Sequence, residues 1–363
     1  MAEIRGDPTD TEDFSSRMIQ ILNYGALNVA IGLGYNVGLF EVLDQADEPL
    51  TCSELASRAN LNSRVCQEWL GIVVSGNIVD VVEDGKYFLP KHRGDVLCQR
   101  AGSDNLGVYC QEIPLLTSCV YADVERTFYT GAGIPYSKYP AFQAFMGKAA
   151  EQKHRNTLIQ TFLPSIDDGQ IVTRLKEGGM RVMDLGCGEG LAIALMAKEF
   201  PESTFVGLDL DEDAIAKASE AAMDISNLSF VAMDAAEIVN HEEYAGSFDY
   251  VLAFDAIHDQ CEPETVLSGV YDALKPGGLF SMIDVKADSD LASNASHPLG
   301  PLLYTVSLMH CMQVGMVHGG RGLGMMWGHQ KATEMLAQAG FHTIRSLPIP
   351  DDGFNLHYMA HKS

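Results

Sequence analysis

The chain has 363 residues, 47% of them apolar, enough to bury the cores of two domains or of one large domain with additions. A formal charge of −25 at pH 7 speaks against general affinity for nucleic acid or for anionic membranes, both of which reward basic surfaces. The acidic, polar opening MAEIRGDPTDTEDF does not read as a secretory signal, and the eight cysteines are scattered without a C-x-x-C pair, a pattern of reduced thiols that points to the cytoplasm.

The segment up to about Asp13 reads as loose. From Phe14 to about Gln45 the pattern is helical and apolar, broken by Gly32, Gly34 and Gly38. Its most apolar part, Ala26 to Phe40, is shorter than the roughly 20 residues of a membrane helix and reads as a buried one. Thr51 followed by Glu54 predicts a capping box at the start of a short helix. A turn at Asn60 to Asn62 leads into a second helix with Val65, Trp69, Leu70 and Val73 on its apolar face. IVDVV and KYFLP flank an Asp-Gly turn, a hairpin signal. Helix, turn, helix, hairpin is the outline of a winged helix.

Residues 91 to about 165 read as mostly helical, interrupted by GAGIPYSKYP. From Met180 onward RVMDLG, TFVGLDL, LSFVAMD, FDYVLAF and LFSMIDV alternate with helical stretches, the pattern of a parallel α/β sheet. HQKATEMLAQAG, FHTIRSLPIP and FNLHYMAHKS then add a helix and two strands.

MDLGCGEG places glycines at 186, 188 and 190, directly after a strand. A dinucleotide fingerprint would need a third glycine where Leu191 stands, and a phosphate loop would need Gly-Lys-Ser/Thr. Asp184 ahead of the loop suits a cationic ligand group better than a phosphate. Asp209 and Asp234 end the next two strands, where open α/β sheets bind ligands, and a carboxylate there can accept both hydroxyls of a ribose.

DLGCGEG, GLDLDEDAIAKA and ALKPGG together resemble the class I S-adenosylmethionine (SAM) methyltransferases over about residues 178–286. The resemblance implies SAM as cofactor. It implies a cofactor site made by Asp184, Gly186, Gly188, Asp209, Leu210, Asp234, Ala235 and Phe254, with Asp209 on the ribose and Asp234 on the adenine amino group. AFDAIHDQCEP with HPLGPLLYTVSLMHCMQVGM resembles a subfamily that joins a winged-helix-like N-terminus to this fold, from about residue 20 to 360. The expected architecture is a Rossmann-like class I methyltransferase domain with a mostly parallel seven-stranded sheet, behind a mainly helical N-terminal domain. Residues 1–110 would form the winged-helix-like part, for dimerisation or as a lid, residues 111–165 a helical linker and lid, and residues 166–363 the SAM-binding domain with a cap at about 287–328.

His258 and Asp259 match a His-Asp pair that small-molecule O-methyltransferases of the plant type carry, with Gln260 in place of the usual tryptophan. There the histidine is the general base, so His258 is expected as base with Asp259 orienting it, and a rate that rises through roughly pH 6–7. The other reading is a histidine that caps the following helix or hydrogen-bonds inside its loop. Tyr136, Tyr139 and His310 are the expected substrate contacts, and the acceptor, a small molecule, can attack through oxygen, nitrogen or sulfur. His310, Cys311 and His318 match no standard metal spacing, and no metal is expected.

Residues 1–110 hold 8 basic against 16 acidic residues, a net of −8, and the presumed recognition helix, Asn62 to Ser75, offers only Arg64 against Glu68. Such a surface would repel a DNA backbone, so no nucleic acid or membrane partner is expected, and a homodimer is. The rival function is a catalytically silent SAM-binding regulator that uses the winged helix for DNA or protein contacts.

Overall fold

The computed structural model describes residues 11–350 and 352–363. Two compact units divide the chain after Leu115. In the first, a long helix α1 (Thr11–Asn36) is followed by α2 (Leu39–Asp44), α3 (Cys52–Ala59), α4 (Ser63–Ser75), a two-stranded hairpin of β1 (Asp80–Val81) and β2 (Tyr87–Phe88), and α5 (Lys91–Leu97). The predicted capping box is present: the Thr51 hydroxyl accepts from the Glu54 backbone N–H at 3.2 Å, and the Glu54 carboxylate accepts from the Thr51 N–H at 2.8 Å. Asn60 turns left-handed after α3, and the Asn62 side chain caps α4.

The expected breaks at Gly32 and Gly34 do not occur. Both stay helical because neighbouring groups come too close for a side chain: a Cβ on Gly34 would lie 2.5 Å from the Trp69 ring. Only Gly38, at φ 75°, interrupts the helix. The apolar stretch is buried on one side only, with Ala30, Leu39 and Phe40 inside and Val29, Leu33 and Val37 exposed. Val65 is 67% exposed, so the buried face of α4 is Cys66, Trp69, Leu70 and Val73. Of the segment read as loose, residues 1–10 lie outside the described residues, and residues 11–13 open α1.

Helix α6 (Glu112–Thr130) leads into the second unit, where α7 (Pro140–Thr157), α8 (Leu163–Ser165) and α9 (Gln170–Glu177) precede the sheet. Strands β3 (Arg181–Leu185), β4 (Thr204–Asp209), β5 (Leu228–Ala232), β6 (Phe248–Phe254) and β7 (Leu274–Val285) alternate with α10 (Leu191–Glu199), α11 (Glu212–Ala221), a 3₁₀ turn (Ala235–Asn240) and α12 (Pro263–Ala273). After β7 come α13 (Gly300–Val306), a π-helical turn (Ser307–Cys311), α14 (Met312–Gly315) and α15 (His329–Gln338). β8 (Thr343–Ile349) and β9 (Asp352–His361) complete a seven-stranded sheet in the order β5-β4-β3-β6-β7-β9-β8.

β3 to β7 are parallel, and β9 runs antiparallel to both its neighbours. Both sheet faces are covered. Met183, Val251, Ala253 and Phe280 pack on one side, and Val182, Tyr250, Leu252 and Leu279 on the other, the period-2 alternation of a doubly buried sheet. The strand order reverses at β3, which leaves a crevice at the carboxyl ends of β3, β4 and β6. No helix among the described residues is long and apolar enough to cross a membrane.

Candidate active site

The first half of the site is backbone and carboxylate. β3 ends at Leu185, and the next residue, Gly186, adopts φ 75°, a left-handed conformation costly for a side chain. A Cβ on Gly186 would also meet that of Ala256 at 2.5 Å, whereas Gly188, at φ 54°, faces open space. The loop is tied to β4 through Gly186 N–H and Cys187 N–H, which both donate to the Leu208 carbonyl, at 2.8 and 3.0 Å. Asp209 completes it: one carboxylate oxygen accepts from Gly188 N–H at 2.7 Å, the other from Asp211 N–H at 2.9 Å.

Asp184 is buried, and burial together with the nearby Asp209 pushes its carboxyl up to about 8. Burial also raises Asp209, against the hydrogen bonds that lower it. Neither carboxyl has an ion-pair partner among the described residues, so a cationic ligand group would meet two acids without a counter-ion there and would favour their ionised forms. That set fits a ligand bearing a cationic group and hydroxyls, as SAM does. Asp234 caps the 3₁₀ turn after β5 by accepting from Ala236 N–H at 2.9 Å; Ala235 beside it is buried, and Leu210 is 57% exposed. Phe254, at the end of β6, is half-buried against the rings of His154 and Phe162, at 4.7 and 5.5 Å.

The second half stands at the ends of β6 and β7. His258 is buried, with Nδ1 2.8 Å from Asp284 Oδ1 and Nε2 3.4 Å from Asp259 Oδ1. The orienting partner is therefore Asp284, not Asp259. Asp284 is fully buried in β7, and the backbone N–H of Val285 donates to the same Oδ1 at 2.8 Å. Burial alone would lower the imidazole, but Asp284 and Asp259 outweigh it and hold His258 well above its ordinary value. Gln260, in the tryptophan position, bonds back to the Ala256 carbonyl at 2.8 Å and closes the turn.

Asp259 faces a cluster. The Tyr136 hydroxyl donates to its Oδ2 at 2.7 Å, and His310 Nδ1 lies 3.9 Å from the same oxygen. The Cys311 thiol, pushed up to about 12 by burial and by Asp259, stands against His258 and Asp259. The π-helical turn is what aims His310 and Cys311, two successive buried residues, into the same region; such wide turns recur at functional sites. Tyr139 is fully buried and donates to the Met309 carbonyl at 2.8 Å, its ring 4.8 Å from His310, so it backs His310 rather than lining open space. His318 is exposed and outside the cluster.

Sequence reasoning missed three members of this half. Asp284 was visible as the lone acid in the apolar run LFSMIDV. Cys311 was weighed only together with His310 and His318. Asp255, left-handed at φ 50°, carries a buried carboxyl that burial raises to about 6, with one oxygen accepting from Asn355 Nδ2 at 3.2 Å.

Comparison with known proteins agrees with this geometry. Residues 176–340 match the family model described as a methyltransferase domain, and residues 25–99 one described as an Rv2258c-like winged HTH domain. Trans-aconitate 2-methyltransferase of Deinococcus radiodurans is 34% identical over 114 residues, 31% of this chain and 41% of that protein. The chain thus spans about two-fifths of the length of that curated relative. A solved structure from Nostoc punctiforme, a candidate O-methyltransferase, superposes with a TM-score of 0.70 at 18% identity, over 96% of this chain and 98% of that one. Human N-acetylserotonin methyltransferase, solved with SAM, does so with a TM-score of 0.63 at 16% identity, over 99% of each chain. Those likenesses agree with the class I methyltransferase fold of the sheet domain. Residues 176–340 thus carry a methyltransferase domain, and residues 25–99 a winged helix-turn-helix domain of the Rv2258c-like kind.

Proposed function

We propose that the protein is a SAM-dependent methyltransferase acting on a small molecule. The observation that carries the reading is the pairing, at the carboxyl ends of neighbouring central strands, of the glycine loop with its uncompensated Asp184 and Asp209 and the His258–Asp284 pair on β6 and β7. SAM supplies a methyl already activated on a sulfonium, so the chain's own task is placement and removal of the acceptor's proton. Asp184 and Asp209 hold the cofactor's charge and hydroxyls, and Leu210, Asp234, Ala235 and Phe254 frame the rest of it.

His258 receives the acceptor's proton at Nε2, the end left free by the Nδ1 bond to Asp284. Asp259, held by Tyr136, faces that same nitrogen and positions the acceptor. The O-methyltransferase description of the Nostoc structure supports an oxygen nucleophile. A homodimer belongs to this reading, supported by the exposed Phe14, Ile19, Leu22 and Tyr24 along α1, as does a cytoplasmic location, supported by eight free cysteines.

Purified protein with methyl-labelled SAM and a metabolite extract tests the reading, by the product that takes the label. Absence of SAM and S-adenosylhomocysteine binding in calorimetry would end it. The regulator reading is not favoured, because the exposed Arg64 of α4 is engaged by Glu68 in a unit with net charge −8 over residues 1–110. A gel shift of a DNA duplex at physiological salt, with no turnover, would reinstate it.

A further inference from the structure

His258, Asp259 and Cys311 are the one group of three metal-ligating side chains found among the described residues, with one ligand atom from each and all three atoms within 4.8 Å of one another. Two features distinguish the group from a chance cluster. Asp284 sits behind the imidazole at Nδ1, 2.8 Å away, which leaves Nε2 as the inward-facing end; a carboxylate on the far nitrogen is the arrangement that orients metal-binding histidines. Asp259 Oδ1, buried and without a hydrogen-bond partner, lies 3.4 Å from Nε2. A tetrahedral site with bonds of about 2.0–2.1 Å has an edge of about 3.4 Å, so these two atoms already have the spacing of neighbouring ligands. Cys311 comes from the π-helical turn and supplies the third ligand atom, within 4.8 Å of the other two. Thiolate, imidazole and carboxylate together suit a borderline-soft divalent ion, and three protein ligands leave a fourth position for water or an exogenous group.

We propose that this triad binds a zinc-class divalent cation through His258 Nε2, an Asp259 carboxylate oxygen and the Cys311 thiolate. Coordination releases the thiol proton of Cys311 and any proton held on His258 Nε2 to solvent, so binding tightens as pH rises. The ion and the acceptor's proton use the same lone pair of His258. The ion-loaded protein therefore cannot use His258 as a base, and zinc inhibits methyl transfer to a hydroxyl acceptor. Metal binding is read without SAM or turnover, so its failure and the failure of the methyltransferase reading are separate results.

The test uses full-length protein freed of metal by dialysis against a chelator, then titrated with Co²⁺ and with Zn²⁺. The expected result is one ion per chain by elemental analysis, a thiolate-to-cobalt charge-transfer band, and loss of that band when Zn²⁺ is added. Cys311→Ser should abolish the band, and Cys52→Ser, outside the cluster, should leave it intact. Asp284→Asn should weaken binding by roughly 10–100-fold, the usual effect of removing the group behind a ligating histidine. Circular dichroism and thermal unfolding of each variant report whether the fold is intact. A wild-type protein that takes up less than one ion per chain, or shows no charge-transfer band, overturns the proposal even if no variant folds. A band that survives Cys311→Ser in a folded variant does so too.

Discussion

The two halves of the site are built on opposite plans. The cofactor half is assembled from strand ends close in sequence, since Asp184, the glycines and Asp209 lie within 26 residues and the loop's own backbone does most of the shaping. The acceptor half joins Tyr136 to Asp259 across 123 positions and His258 to Asp284 across 26, and adds Cys311 from an insertion. The first half offers a glycine turn and two acids without a cationic partner among the described residues. The second offers a desolvated side-chain cluster in which Asp284 and Asp259 bear on the imidazole of His258, and Asp259 on the thiol of Cys311. A local loop can be specified by φ angles alone, whereas a long-range cluster holds its geometry only as well as the elements behind it.

The largest effect that separates the halves should come from His258→Ala. Loss of a general base typically costs about 10²–10⁴-fold in rate, so kcat should fall by that factor while SAM affinity stays nearly constant. Steady-state kinetics beside calorimetry decide it; a parallel loss of SAM binding would mean that the halves are not independent. In the wild type, the rise of kcat with pH should lie above the pH 6–7 expected from an ordinary histidine, because Asp284 and Asp259 keep the imidazole protonated to higher pH.

Asp184 supplies the matching pH signature for the cofactor half. Its folded-state value, about 8, lies above the unfolded value of about 3.9. Between the two, the folded chain binds more protons than the unfolded one, so this group's contribution to stability falls as pH rises. A bound cation favours the ionised form, so SAM affinity should increase up to about pH 8, by no more than about tenfold per pH unit. Calorimetry in buffers of different ionisation enthalpy reads the released proton, and a flat affinity profile would refute this role for Asp184.

Asp209→Ala should weaken SAM binding by about 1–3 kcal/mol, the range for removing a partner of buried hydrogen bonds, because it loosens Gly188 as well as the ligand. Tyr136→Phe is the smallest change. It removes one donor to Asp259 and should lower stability by about 1 kcal/mol and kcat several-fold, without altering SAM affinity. Thermal unfolding with a kinetic comparison checks it, and a loss confined to SAM binding would place Tyr136 in the wrong half.

What could be read in the chain follows its local physics. The Thr51–Glu54 capping box, the turn at Asn60 to Asn62, the Asp-Gly hairpin and the alternation of strand and helix each depend on a few neighbouring residues, and all are present. The same holds for Gly186, where only glycine accommodates both the backbone angle and the approach of Ala256. Gly32 and Gly34 misled because local propensity marks a glycine as a breaker, while close packing against Cys110 and Trp69 made them positions where only a missing side chain fits.

The acceptor half depended on tertiary structure. Sequence adjacency suggested Asp259 as the partner of His258, yet Asp259 meets the imidazole only on the Nε2 side, at 3.4 Å, and parallel pairing of β6 with β7 brought Asp284 to Nδ1. Tyr136 and Tyr139 looked equivalent, three positions apart on one loop; burial sent Tyr139 beneath His310 and left Tyr136 to reach Asp259. Spacing along the chain likewise gave no reason to group Cys311 with His258 and Asp259, because a π-helical turn and a strand end meet only through packing. Backbone angles and caps are properties of short segments and survive in the sequence as residue choices. The pairing of side chains across a sheet edge is a property of the folded register, and only the register states it.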